Sequence, residues 1–150
     1  MDVTWILIAD SSRARIFEKK ESEKHLREVD DFVNAAGRFE DNELGTDERG
    51  RFYGRGEREQ GHTSQPAVSL VEHENEIFSH TLANYLDAAR NAHRYSRLYL
   101  VAGSQFLGLM HGSLKEEVRE LVVDELVKDI STMSAREVEN YLHGKLDYFH

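Results

Sequence analysis

Cysteine is absent from this 150-residue chain. It therefore has no disulfide framework, no thiolate metal site and no cysteine nucleophile. Proline is nearly absent too, with Pro66 the only one. Long apolar runs are missing. The opening Trp5-Ile6-Leu7-Ile8-Ala9 stops at Asp10 with no basic leader before it. Nothing approaches the roughly 20 apolar residues of a membrane span. The sequence thus predicts a cytoplasmic protein without membrane segment or secretory leader, and it disfavours a surface adhesin. Positive charge is scarce: 19 Lys and Arg stand against 28 Asp and Glu, a formal net charge of −9. A field of that sign repels phosphate backbones, so contact with nucleic acid needs a local basic patch.

What is present is ordinary for one domain spanning 1–150. Hydrophobic residues are 39% and charged residues 31%, enough for a core without staples. Trp5 to Ala9 is apolar at every position, as in a strand covered on both faces. Asp10-Ser11-Ser12 is turn chemistry. Ala14 to Glu18 reads as a second, antiparallel strand. Leu26 to Val33 reads as a third, more polar strand nearer an edge.

Residues 34–66 differ in kind. They hold six of the ten glycines and the one proline, which predicts a long mobile loop. Ile77, Phe78, Leu82, Tyr85, Leu86 and Ala89 then share one helical face, predicting a helix from about Leu70 to Tyr95. Glu72, Glu74 and Glu76 are expected near its N-terminal end, where they favour the helix dipole. Leu98 to Ala102 is a buried strand. A short helix follows through Met110, with a further turn over Lys115 to Val118 and Ser113 as its candidate N-cap. Residues 120–130 fit helix or strand. Strand is preferred, with Val122, Leu126 and Ile130 on one face. Ser134 with Glu137 is a capping-box pattern opening a last helix that turns Val138, Tyr141 and Leu142 inward. The expected class is α/β, in the order βββ-α-β-α-β-α.

The candidate binding residues cluster in the loop. Arg49, Arg51, Phe52, Tyr53, Arg55 and Arg58 combine guanidinium groups with two aromatic rings, suited to phosphates and stacked bases. Gln60 and His62 follow them. The same loop carries Glu40, Asp41, Glu43, Asp47, Glu48, Glu57 and Glu59, which can pair with those arginines. Asp10, Arg13 and Arg15 gather at the first hairpin, where a turn-forming Asp paired with a nearby Arg is the expected arrangement. His73 and His80 lie about 10 Å apart by helix rise, too far to share a zinc. His62, His93, His111 and His143 complete no ligand set, so no metal and no cofactor are expected. Gly103-Ser104-Gln105 follows a strand and opens a helix, a place that can hold anions. No nucleophile elbow surrounds Ser104.

The opening from Trp5 to Phe17 resembles the start of the bacterial host attachment protein family. Glu72-His73-Glu74 followed by Phe78, and Leu121-Val122-Val123 leading to Lys128-Asp129-Ile130, resemble it as well. The likeness runs along essentially the whole chain. That family is similar to the middle domain of archaeal and eukaryotic peptide-chain release factors. The resemblance implies an RNase H-like three-layer mixed sheet, with a long Gly/Arg loop between strand 3 and the first long helix. In release factors that loop carries Gly-Gly-Gln and reaches the peptidyl-transferase centre. Here the position holds Gly54-Arg55-Gly56 and Gln60-Gly61, without a contiguous Gly-Gly-Gln. Asp10 stands where the first-strand carboxylate of an RNase H-like nuclease would stand.

Two readings follow. In the preferred one the chain is a non-catalytic binding protein. It contacts RNA, the ribosome or a protein partner through its 49–62 loop and affects attachment indirectly. In the other it is a hydrolase, a divergent peptidyl-tRNA esterase or a nuclease, with Gln60 positioning water.

Overall fold

The first strand, β1 (Val3–Ala9), lies in the middle of a five-stranded sheet of order β3-β2-β1-β4-β5. Its neighbours are β2 (Arg13–Lys20), antiparallel, and β4 (Arg97–Ala102), parallel. The edges are β3 (Arg27–Val33), antiparallel to β2, and β5 (Val122–Val127), parallel to β4. The structure is a computed structural model that describes residues 2–34, 64–143 and 145.

Alternation along β1 and β4 divides the core in two. Trp5, Leu7, Leu98 and Leu100 point to one face, while Ile6, Ile8, Tyr99 and Val101 point to the other. Both faces are covered, which explains strands that are apolar at every position. The first face is covered by α1 (Ser64–Asn91), α2 (Ser104–Ser113) and α3 (Glu116–Arg119). The second is covered by α4 (Ala135–Leu142), through Val138 and Leu142. The result is a three-layer mixed α/β arrangement with four helices among the described residues.

The long helix α1 packs Phe78, Leu82, Leu86 and Ala89 on the sheet. Leu82 and Leu86 are fully buried, and each such burial contributes about 2–3 kcal/mol. The helix begins earlier than expected, at Ser64 rather than near Leu70, so residues 64–66 belong to it and not to the loop. Pro66 fits the first turn, because the N–H it lacks has no helical acceptor there. Glu72, Glu74 and Glu76 therefore lie beyond the first turn, which holds no acid. Ile77 is 44% exposed, off the buried face.

The C-terminus of α1 turns through His93, the only non-glycine residue at positive φ (59°) among those described. Its N–H donates to the Arg90 carbonyl and the Arg94 N–H reaches back to Ala89. This is the Schellman arrangement, which favours glycine at the left-handed position. His93→Gly is expected to raise stability by about 0.5–1 kcal/mol in urea unfolding followed by Trp5 fluorescence. No gain, or a loss, would show that the His93 side chain contributes contacts of its own.

Residues 120–130 contain a strand, as preferred, but with a bulge. Leu98 pairs with Val122, whereas Tyr99 pairs with Asp124. The extra residue, Val123, reverses the alternation. Val122 thus joins the layer under α1 and α2, and Leu126 joins the layer under α4. The expected shared face of Val122 and Leu126 is broken for that reason. Ser134 accepts from the Glu137 N–H and Glu137 bonds back, the expected capping box. Ser113 is not an N-cap. It ends α2, α3 starts after Lys115, and the Ser113 Oγ lies 2.8 Å from that of buried Ser79 on α1.

Candidate functional site

The three parallel strands β1, β4 and β5 end at one edge of the sheet, the edge where open α/β sheets bind ligands. Asp10 follows β1, Gly103 follows β4 and Lys128-Asp129 follow β5. Asp10 Oδ1 accepts from the Ser12 N–H at 2.8 Å, the Ser12 hydroxyl at 2.9 Å and the Arg13 N–H at 2.8 Å. These bonds fix the β1–β2 turn in the way Asp commonly does. Its second oxygen, Oδ2, accepts from the Ser131 hydroxyl at 2.6 Å. Asp129 Oδ1 stands 3.1 Å from that same hydroxyl. Burial pushes the Asp10 carboxyl up, but the hydrogen bonds from Ser131, Arg13 and Ser12 outweigh it and hold the group below the ordinary range.

Arg15 approaches the same loop from the second layer. Its side chain is 8% exposed. Nε and Nη2 make a fork to Glu28 on β3 at 3.0 and 2.9 Å. Nη1 donates to the Ser131 carbonyl at 3.0 Å and to the Met133 carbonyl. The guanidinium also lies 4.8 Å from the centre of the Phe17 ring. Hydrogen bonding to Arg15 lowers the Glu28 carboxyl. Asp10 and Arg15 thus grip opposite sides of one residue, Ser131, and hold the segment after β5 across the end of the sheet.

The expected Asp10–Arg pairing at the hairpin is not what forms. Arg13 bonds Asp31 on β3 at 3.0 Å, at the surface, and Arg15 turns to Glu28. Strand register explains this, since Arg13 and Arg15 share the face of β2 that meets Asp31 and Glu28 across the ladder to β3. Sequence reasoning missed Ser131, Glu28 and Asn34. Buried Asn34 donates from Nδ2 to the Ser11 carbonyl at 2.7 Å and to Asn75 Oδ1 on α1 at 3.0 Å. Its N–H donates to Ser12. A lone Asn or Ser after a strand gives no signal that it will bond a residue so distant in the chain.

Arg49, Arg51, Phe52, Tyr53, Arg55, Arg58, Gln60 and His62 lie outside the described residues. Gly103 precedes α2 in an extended conformation with no side-chain cap, and Ser104 is exposed at the first helical position. His73 and His80 are exposed on α1. His111 bonds Glu125 at 2.7 Å and His25 bonds Glu139 at 2.9 Å. Among the described residues no three His, Asp or Glu side chains are grouped to hold a metal ion. No helix among them is long and apolar enough to cross a membrane.

Comparison with known proteins gives a family and two structural likenesses. No curated protein matches the sequence. The chain is similar to an archaeal protein at 9% identity and a TM-score of 0.46, covering 95% of this chain and 39% of that one. It is also similar to the Aquifex aeolicus Ppx/GppA phosphatase (type II variant) at 12% identity and a TM-score of 0.40, covering 85% of this chain and 36% of that one. This chain therefore spans well under two thirds of either structure. The family described as protein required for attachment to host cells matches residues 5–142, and the chain belongs to it.

Proposed function

We propose that this chain is a cytoplasmic, non-catalytic binding protein that contacts RNA, and the ribosome in particular, through its Arg-rich segment. Its effect on attachment is then indirect. Arg49, Arg51, Arg55 and Arg58 supply charge for phosphates, Phe52 and Tyr53 supply stacking surface, and Gln60 and His62 add polar contacts. The observation that carries this reading is the anchor at Asn34. It ties the point where the segment leaves β3 to both the β1–β2 turn and α1. The segment therefore departs beside Asp10 and Arg13, at the end of the sheet where α/β proteins present their ligand sites. The element order agrees with the release-factor resemblance, which supports reading the sheet as RNase H-like. On this reading Asp10 is a turn and strap residue rather than a metal ligand, because both its oxygens are engaged within the chain.

The test is sedimentation of the tagged chain with ribosomes from a gentle lysate. Co-sedimentation is expected at low salt and is expected to weaken as salt rises. Changing Arg51, Arg55 and Arg58 together to Ala should flatten the plot of log K against log salt by about 2 units, roughly 0.7 per lost contact. Protein that stays at the top of the gradient at low salt would sink the reading.

A further inference from the structure

Helix α1 carries a second apolar ridge besides the one in the core. Leu70 and Ile77 are 64% and 44% exposed, and Thr81 and Ala88 are exposed as well. Steps of seven, four and seven residues put all four on one line along the helix. The line runs about 27 Å, on the side turned away from Phe78, Leu82 and Leu86. Thr81 presents its methyl group, because its hydroxyl donates to the Ile77 carbonyl at 3.0 Å. Covering the ridge therefore leaves no hydroxyl without a partner.

We propose that a second copy of this chain docks on the ridge, with two α1 helices packed antiparallel about a twofold axis level with Ser79. Leu70 and Ala88 lie nine residues either side of that position, and Ile77 and Thr81 lie two either side. The axis thus sets Leu70 against Ala88 of the second copy and Ile77 against Thr81 of the second copy. Each large side chain meets a small one, so the surface is complementary to itself, as a twofold interface requires. Charge agrees with this register. Glu74 flanks the ridge on the same side as Tyr85, and the axis brings it level with Tyr85 of the second copy, not with another acid. A parallel pairing in register would set Leu70 on Leu70 and Ala88 on Ala88, large on large and small on small.

One helix pair of this length falls below the roughly 1,200 Å² of a standard interface, so the dimer forms with rising concentration. Each copy carries a formal charge of −9, and screening that repulsion strengthens the dimer. The sign is opposite to the salt response of an RNA contact, so the two readings fail separately.

The chain has no cysteine, so one introduced thiol reports alone. Thr81→Cys in the full chain, treated with a short bismaleimide, is expected to give a cross-linked dimer. Its yield should rise with protein concentration and with salt. Glu72→Cys, on the opposite side of the helix, should give more than about tenfold less. Adding Ile77→Asp to Thr81→Cys should lower the yield more than about tenfold, with the circular dichroism unchanged because residue 77 is exposed. Sedimentation equilibrium of the unmodified chain should show dimer by about 1 mM. A monomer at that concentration overturns the proposal. So does equal cross-linking at positions 72 and 81, or a dimer indifferent to Ile77→Asp.

Discussion

Arg15→Ala is expected to destabilise the protein by about 3 kcal/mol, the lower end of what breaking a buried ion pair costs, because Glu28 retains some solvent. For a chain of this length that lowers Tm by about 6–12 °C. The loss has two sources. Glu28 keeps its place on β3 without its cation. The carbonyls of Ser131 and Met133 lose their donor inside the structure, at about 1–3 kcal/mol for each buried group left unsatisfied. The double variant Arg15→Met with Glu28→Leu separates them. It removes the charge pair as a unit, so a remaining deficit belongs to the carbonyls. Urea unfolding followed by the single tryptophan measures both variants. Trp5 is fully buried, stacked 4.8 Å from Tyr95, and donates to Glu18 at 3.1 Å. Its emission should move to the red on unfolding. If Arg15→Ala unfolds within about 0.5 kcal/mol of the parent, Arg15 does not hold the strap.

Asp10→Ala should cost about 2–3 kcal/mol, because four donors lose one acceptor residue and the turn loses its organiser. Asp10→Asn should recover most of this, since an amide oxygen can still accept at the turn while Ser131 reorients. A metal-holding Asp would behave otherwise, since the amide would abolish binding while leaving stability nearly intact. The same network sets the acid response. Asp10, Glu18, Glu28 and Glu139 are all held below their ordinary values of 3.8 and 4.5. For Glu18, burial acts upward and is outweighed by bonds from Trp5 and Arg27. For Glu139, burial is outweighed by His25 and the Leu26 N–H. Carboxyls with depressed folded values contribute stability that is complete above the unfolded values and lost as pH falls through the folded ones. Stability from this source should be flat above about pH 5 and fall steadily below it. Asp10→Asn should make that fall shallower. A profile equally steep in the parent and in Asp10→Asn would remove Asp10 from the account.

The two strands with the purest apolar runs, β1 and β4, were legible because burial on both faces leaves no room for polar residues. The capping box at Ser134 was legible because it is a local bargain between residues three apart. The start of α1 was not, since Pro66 reads as loop punctuation and is equally at home in a first helical turn. The fate of Arg15 was invisible for a different reason. Its partners Glu28, Ser131 and Met133 come from β3 and from the far side of β5. Only the folded sheet brings them together. Asp10 could be read as a turn former from its neighbours Ser11 and Ser12, but its bond to Ser131 spans 121 residues. Local chemistry shows in the sequence; contacts closed by topology do not.

The bulge in β5 bears on how this chain tolerates changes of length. Losing one residue from a buried strand usually sends every later side chain to the opposite face. Val123 is the exception built into this sheet, because the ladder already passes over it from Val122 to Asp124. Without Val123, Glu125 would still meet His111 and Leu126 would still meet the layer under α4. An alignment gap at that one position would therefore mark a regularised strand and not a rearranged core.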